Sequence, residues 1–289
     1  MSSPSLADAV RVLDGFYPRD TAATWDQVGL VTGDLEQPVR SVLFAVDPTL
    51  SVIEEARDAG ADLVVTHHPL LLRGVHSVAT NTAKGAAVTT LVVADIALYC
   101  AHTNADVATP GVNDALAAAC GLSDDAVPLG EEDGQPLGKV GDLAEPMTLS
   151  AFAAALAEAL PAAPAGLRVS GDPAATVRRV AVQGGAGDTR FDAVRSSGAD
   201  VYVTADLRHH PALEAREEAR GGTPYLIDAG HWATEWLWLA GCADRFRRAL
   251  GEQGYDVETA VSRLRTDPWD FVVPTGHPRD GLPGDGPQR

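Results

Sequence analysis

Cysteine is scarce in this 289-residue chain, and the three present, Cys100, Cys120 and Cys242, are scattered through apolar segments. An odd count with no Cys-x-x-Cys spacing argues against a disulfide framework or a zinc finger and for buried, reduced thiols. Lysine is nearly missing: Lys84 and Lys139 stand against twenty arginines, and 40 acidic residues outnumber 22 basic ones. The formal charge of −18 lacks the basic footprint of a nucleic-acid binder. It leaves room for a small anionic substrate, because a bound divalent metal can dominate its local field. No apolar run approaches the ~18–20 residues of a membrane span. The N-terminus lacks the basic-then-apolar pattern of a signal peptide. The expectation is a cytoplasmic protein that binds neither nucleic acid nor membrane.

What is present is a globular composition, 45% hydrophobic and 21% charged, on a chain long enough for two lobes. Leu6, Ala9, Val10, Leu13 and Phe16 form a helical stripe that ends before Pro18. Residues 42–46 read as a buried strand. Thr49 opens a helix that closes at Gly60, and Leu63-Val64-Val65 is the next strand. That strand–helix–strand succession fits a βαβ unit of a parallel sheet. Residues 90–98 read as a further strand, and a short helix spans 111–120. The acidic, Gly- and Pro-containing stretch 123–147 is expected to be a solvated hairpin or loop between lobes. A helix over 149–160, a strand at 225–227, a long helix from His231 to about 250 and a strand-like piece at 255–261 complete the chain.

An internal repeat organises these elements. Residues 39–66 align without gaps on 177–204, with nine identities in 28 positions, and a Gly-Ala-Asp-x-x-Val-Thr block recurs whole. The fold class inferred is α/β, with two similar lobes and a metal site in the cleft between them. Lobe one is assigned to 1–128, lobe two to 129–228, a returning helix and strand to 229–265, and a disordered tail to 266–289.

Three stretches hold most of the metal-binding side chains, each directly after a strand-like run: Thr66-His67-His68-Pro69, His102-Thr103-Asn104-Ala105-Asp106 and His231-Trp232-Ala233-Thr234-Glu235. Functional groups at the carboxyl ends of strands are the usual arrangement in open α/β folds. His231 and Glu235, four apart, share one helix face, although a lone pair of this kind is more often a surface pair. Adjacent His67 and His68 point in opposite directions in an extended segment, so either the chain turns at Pro69 or the two rings serve different ions. Imidazole and carboxylate together suit zinc, iron, manganese or nickel more than magnesium or calcium. His102 could bind metal or contact substrate. Asn104 could orient a neighbour. Asp26, after the aromatic Trp25, could line the site or simply end an element. Asp206, His209 and His210 could line the same cleft from lobe two, with a helix-entry role equally open for Asp206.

Taken in order, these motifs, together with Trp25-Asp26-Gln27-Val28-Gly29-Leu30, Gly111-Val112-Asn113-Asp114, Thr204-Ala205-Asp206 and Asp228-Ala229-Gly230, resemble one family. It is that of the dinuclear-metal-centre hexameric proteins known as GTP cyclohydrolase 1 type 2 homologues. The resemblance covers residues of about 6–265. It implies two divalent ions per subunit held by His67, His68, Asp106, His231 and Glu235, with Glu235 bridging. It also implies paired α/β lobes assembled into a toroidal homohexamer. The connector at 123–147 is too short for the extra domain that some members insert. The function so implied is a metal-dependent hydrolase acting on a small-molecule substrate, a nucleotide such as GTP or a related heterocycle, with attack at C8 of guanine and His102 shuttling a proton. The alternative is a non-catalytic metal-binding or regulatory ring protein.

Overall fold

Alternation within the strands determines how the layers stack. In the computed structural model, which describes residues 3–273, strands β1 (Gly29–Thr32), β2 (Ser41–Ala45), β3 (Leu63–Thr66) and β4 (Ala97–Cys100) belong to a first sheet. Val42, Phe44, Leu63, Val65, Ala97 and Tyr99 face one way into the main core. Leu43, Ala45, Val64 and Leu98 face the other way, into a satellite core. Strands buried on both faces are the mark of a parallel sheet covered by helices. Here α1 (Leu6–Phe16) serves the main core and α2 (Leu50–Asp58) with α3 (Ala83–Val93) the satellite. Ser5 and Asp8 form a reciprocal capping box on α1, and Thr49 caps α2.

The chain then passes through α4 (Thr103–Val107) and α5 (Val112–Ala119) into the hairpin β5 (Val127–Glu132) and β6 (Gln135–Thr148). The hairpin turns at Asp133-Gly134, both with positive φ, as a two-residue Asp-Gly turn requires. After α6 (Leu149–Ala159) come β7 (Arg168–Ser170), β8 (Thr176–Ala186), α7 (Phe191–Ser197), β9 (Val201–Ala205), α8 (His209–Ala219) and β10 (Tyr225–Asp228). The second sheet has the order β5-β6-β8-β9-β10-β7, with β8, β9 and β10 parallel. Its inner face, including Val180, Val182, Val203 and Ile227, joins the same main core. Helix α9 (His231–Glu252) packs against both sheets, and β11 (Glu258–Val261) returns to pair with β2, giving the first sheet the order β1-β4-β3-β2-β11. Phe246 of α9 meets Phe44 edge-on at 5.9 Å. Among the described residues, no helix is long and apolar enough to cross a membrane.

The two copies of the repeated segment fold alike. β2, α2 and β3 in one sheet correspond to β8, α7 and β9 in the other. The shared aspartate makes the same bonds in each: Asp62 accepts from the Arg40 and Ser41 amides, and Asp200 from the Arg178 and Arg179 amides. Gly60 and Gly198, both at φ +69, turn the chain out of the preceding helix.

One expectation is corrected. Residues 90–98 are not a strand; they are the end of α3, a turn and the start of β4. The β-branched run reads as a strand, but Thr82 caps a helix by accepting from Gly85 N at 3.1 Å. Leu91 is fully buried while Val92 and Val93 face solvent, and Asp95, at φ +56, reverses the chain. The segment expected to be a tail lies partly outside the described residues, from 274 onward. Its beginning is held in place: Thr266 Oγ1 donates to Asp47 Oδ2.

Candidate metal centre

Four histidines reach one space because β3, β4 and β10 all end there. His67 and His68 follow β3, His102 follows β4, and His231 opens α9 directly after β10 and the Asp228-Ala229-Gly230 turn. Each ring has its Nδ1 committed to an acceptor. His67 Nδ1 bonds the Ala101 carbonyl at 2.9 Å, His68 Nδ1 bonds Asp47 at 2.6 Å, His102 Nδ1 bonds Asp26 at 3.0 Å and His231 Nδ1 bonds Asp206 at 2.8 Å. These acceptors engage the Nδ1–H and leave Nε2 as the nitrogen that a metal can take. That is how metal-binding imidazoles are held.

The Nε2 atoms converge on Glu235. This side chain is buried in the second turn of α9, one turn beyond His231 on the same helix face. Its Oε1 lies 3.0 Å from His231 Nε2 and 3.4 Å from His67 Nε2, and its Oε2 lies 3.1 Å from His68 Nε2. Asp106 Oδ1 stands 3.6 Å from His67 Nε2. Three of these atoms, His67 Nε2, Asp106 Oδ1 and Glu235 Oε2, are buried with no hydrogen-bond partner among the described residues. Buried lone pairs facing one another are costly unless a cation lies among them. The donor set therefore fits a divalent ion. Two overlapping groups have the necessary proximity, His67–His68–His102 and His68–His231–Glu235, each with ligand atoms within 4.8 Å.

Electrostatics support the same reading. Burial pushes the Glu235 pKa up, but His68, His67 and His231 outweigh it and hold the carboxyl well below its ordinary range. Burial opposes charge on His68, yet Glu235 and Asp47 raise it to about 10. His231 responds in the same way to Glu235 and Asp206, reaching about 11. For Asp26, burial is outweighed by the His102 and Thr103 hydrogen bonds, which draw it down to about 2. The cluster is built around a fixed negative charge that demands positive charge beside it.

The sequence-derived residues divide cleanly. His67, His68, His102, Asp106, His231 and Glu235 come together. Asp26 and Asp206 reach the same site by orienting His102 and His231. Asp206 is not a helix cap; α8 begins three residues later with Arg208 at the cap. Asn104 and His209 do not line the cleft. Asn104 is fully buried and donates to the Tyr17 carbonyl at 2.8 Å. After Asp206 the chain turns away, leaving His209 and His210 exposed at the start of α8, with His209 in a shallow groove beside Leu213.

Sequence reasoning missed Asp47 and Gly185, which occupy equivalent places after β2 and within β8, 138 residues apart. Gly185 adopts φ +64, and a Cβ there would lie 2.4 Å from Glu235 Oε1, so only glycine lets β8 pass this close to the carboxylate. The signal available was the repeat itself: whatever follows β2 and its counterpart must face the same cleft. Cavities flank the cluster on two sides. One of about 650 Å³ lies beside His68 and His231, walled by Trp232 and residues 266–272. The other, of about 350 Å³, lies beside His102, Asp106 and Glu235, under Trp25 and the β5–β6 turn.

Comparison with known proteins agrees with this architecture. The family model described as Duf34/NIF3 (NGG1p interacting factor 3) matches residues 4–268. A Streptomyces coelicolor protein named GTP cyclohydrolase 1 type 2 homolog is 49% identical over 275 residues, covering 93% of this chain and 95% of that protein. A Mycobacterium tuberculosis protein of the same name is 34% identical over 382 aligned positions, covering 95% of this chain and 99% of its own. That alignment is longer than the 289 residues here, so the relative carries segments this chain lacks. Among solved structures, a Staphylococcus aureus hypothetical protein superposes with a TM-score of 0.84 at 29% identity, covering 93% of this chain and 100% of that one. A Bacillus cereus protein related to NIF3 gives 0.83 at 28% identity, covering 94% and 100%.

Proposed function

This chain belongs to the Duf34/NIF3 (NGG1p interacting factor 3) family, and from that membership and the geometry of the cluster we propose that it is a dinuclear metal-dependent hydrolase of a nucleotide or related heterocycle. The observation that carries the reading is Glu235. It is a buried carboxylate with one oxygen facing His67 and His231 and the other facing His68. His67, Asp106 and Glu235 would hold one divalent ion, and His68, His231 and Glu235 the other. Nitrogen and carboxylate donors without a thiolate suit zinc, iron, manganese or nickel. Ions so bound act as Lewis acids and make water a competent nucleophile near neutral pH.

The protein's own residues supply the rest. Asp26 accepts a hydrogen bond from the Nδ1–H of His102 and is itself fixed by the Thr103 amide at 3.1 Å and the Thr103 hydroxyl. His102 is thereby held with Nε2 free to accept a proton from the attacking water and return it to the leaving atom. Trp25 packs against His102 at 5.8 Å and lines the cavity through which substrate would reach that nitrogen. GTP is the first candidate substrate, suggested by the name its relatives carry. A homohexamer, suggested by the family resemblance, is the assembly to test by light scattering.

The experiment is turnover of GTP and a nucleotide panel by the metal-loaded protein and by Glu235→Gln. Turnover that the variant abolishes supports the hydrolase. Full metal loading without turnover of any nucleotide refutes it and favours a non-catalytic metal-binding role.

A further inference from the structure

The cavity beside His102 contains polar groups that the proposed chemistry does not use. Gln183, at the end of β8, is buried to 7% exposure. Its Nε2 donates to the Ala186 carbonyl at 3.1 Å, which fixes the amide's orientation and leaves Oε1 as an acceptor. That Oε1 has no partner among the described residues. Arg190 lines the same cavity. Its terminal nitrogen pairs with Glu132 of the β5–β6 hairpin, while its Nε–H is buried and likewise without a partner among the described residues. Buried polar groups are nearly always satisfied, so an orphaned acceptor and an orphaned donor on two residues that line one cavity point to a ligand that satisfies both.

Two further features narrow the ligand's shape. Trp25, 55% exposed, gives the cavity a large aromatic surface suited to stacking on a flat ring. Between Gln183 and Glu235 the wall is Gly184-Gly185, which carries no side chain, and a Cβ on Gly185 would crowd the Glu235 carboxylate and His231 Nε2. A ring seated there lies against the metal ligands without an intervening side chain. At about 350 Å³ the space is of the size used for small heterocycles.

We propose that this cavity is a recognition subsite for a planar ring bearing an amide (lactam) edge, with Gln183 Oε1 accepting the ring N–H and Arg190 Nε donating to the adjacent ring carbonyl. Gln183 and Arg190 are then specificity-determining residues, and the Arg190–Glu132 pair ties the hairpin turn over the bound ring. The choice of a ring ligand rests on the hydrolase reading; the hydrogen-bond pattern does not.

The test is binding, measured by calorimetry on the metal-loaded full chain, of inosine 5′-monophosphate and of purine riboside 5′-monophosphate, which lacks the ring carbonyl and N–H. The wild type should bind the inosine nucleotide at least about tenfold more tightly, since a site built to hydrogen-bond a group rejects the analogue lacking it. Gln183→Leu should remove that preference by weakening the inosine nucleotide alone, with metal content unchanged. If that variant folds poorly, Arg190→Lys, which keeps the charge facing Glu132 but has no Nε–H, should reduce the preference in the same direction. Equal affinity of the wild type for the two probes, binding of neither, or a preference that survives both substitutions overturns the proposal. Turnover without lactam preference removes the subsite and keeps the hydrolase; lactam preference without turnover does the reverse.

Discussion

Loading the cluster with metal should expel protons, and the number follows from the ring contacts. Nδ1 of each histidine is committed to an acceptor, so an ion can bind only at Nε2, which must give up any proton it carries. In the metal-free protein burial disfavours charge on His68 and His231, but Glu235 outweighs burial and lifts them to about 10 and about 11. Near neutral pH each ring taken alone would hold its proton. They are not independent: the two Nε2 atoms are 3.2 Å apart, so one proton already forms a hydrogen bond between them and a second would set two cations in contact. Metal binding near neutral pH should therefore release at least about one proton per chain, and His67, which burial opposes but Glu235 and Asp106 raise as well, can add to that number. Zinc titrations in buffers of differing ionisation enthalpy read this number as the slope of observed against buffer enthalpy.

The stability consequence has a definite sign. Both folded-state values lie above the ordinary 6.5. The contribution to metal-free stability is therefore complete below that pH and is lost as pH rises through about 10–11. Metal affinity should move oppositely, weakening as pH falls. A buffer slope of zero, or an affinity indifferent to pH across neutrality, refutes this account of the cluster.

Other expectations concern the residues that orient the ligands. Asp47→Asn keeps the shape of the His68 contact but removes its charge, and should weaken metal binding about 10–100-fold, read by competition with a chromophoric chelator. Gly185→Ala forces a left-handed backbone on alanine, costing about 1–2 kcal/mol, and places a methyl 2.4 Å from Glu235 Oε1; it should lower both the melting temperature and the bound metal. Asp26→Asn, which leaves Glu235, His67, His68 and His231 untouched, should retain metal while lowering turnover about 10²–10⁴-fold. Loss of metal in that variant would instead make His102 a ligand.

Much of this site was legible because parallel strands announce themselves. Leu63-Val64-Val65 and Tyr225-Leu226-Ile227 are apolar on both faces, so the polar residues just beyond them mark the sheet's functional end. The repeated Gly-Ala-Asp block was legible for a physical reason now visible: a left-handed glycine and an aspartate binding two amides of the neighbouring strand are needed in each copy. What sequence could not convey was contact across the chain. Asn104 lies two residues from His102 but on the opposite side of a short helix, against Tyr17. His209 follows Asp206 closely, yet a left-handed turn at Asp206, φ +54, carries it away. Asp47, with no pattern around it, is paired to His68 by the register of β2 on β3. Residues 90–98 are rich in β-branched and apolar side chains, which suit a strand, yet the Thr82 cap and the burial of Leu91 ahead of exposed Val92 and Val93 make the first part helix.

The proposed dinuclear centre depends on Glu235 serving two ligand sets. Elemental analysis of metal-replete protein measures it most directly, on the wild type and on Glu235→Ala. The wild type should hold about two divalent ions per chain, as expected of a carboxylate shared by two ligand sets, and the variant should lose both together. Less than about one ion per wild-type chain, or full occupancy without Glu235, would contradict it.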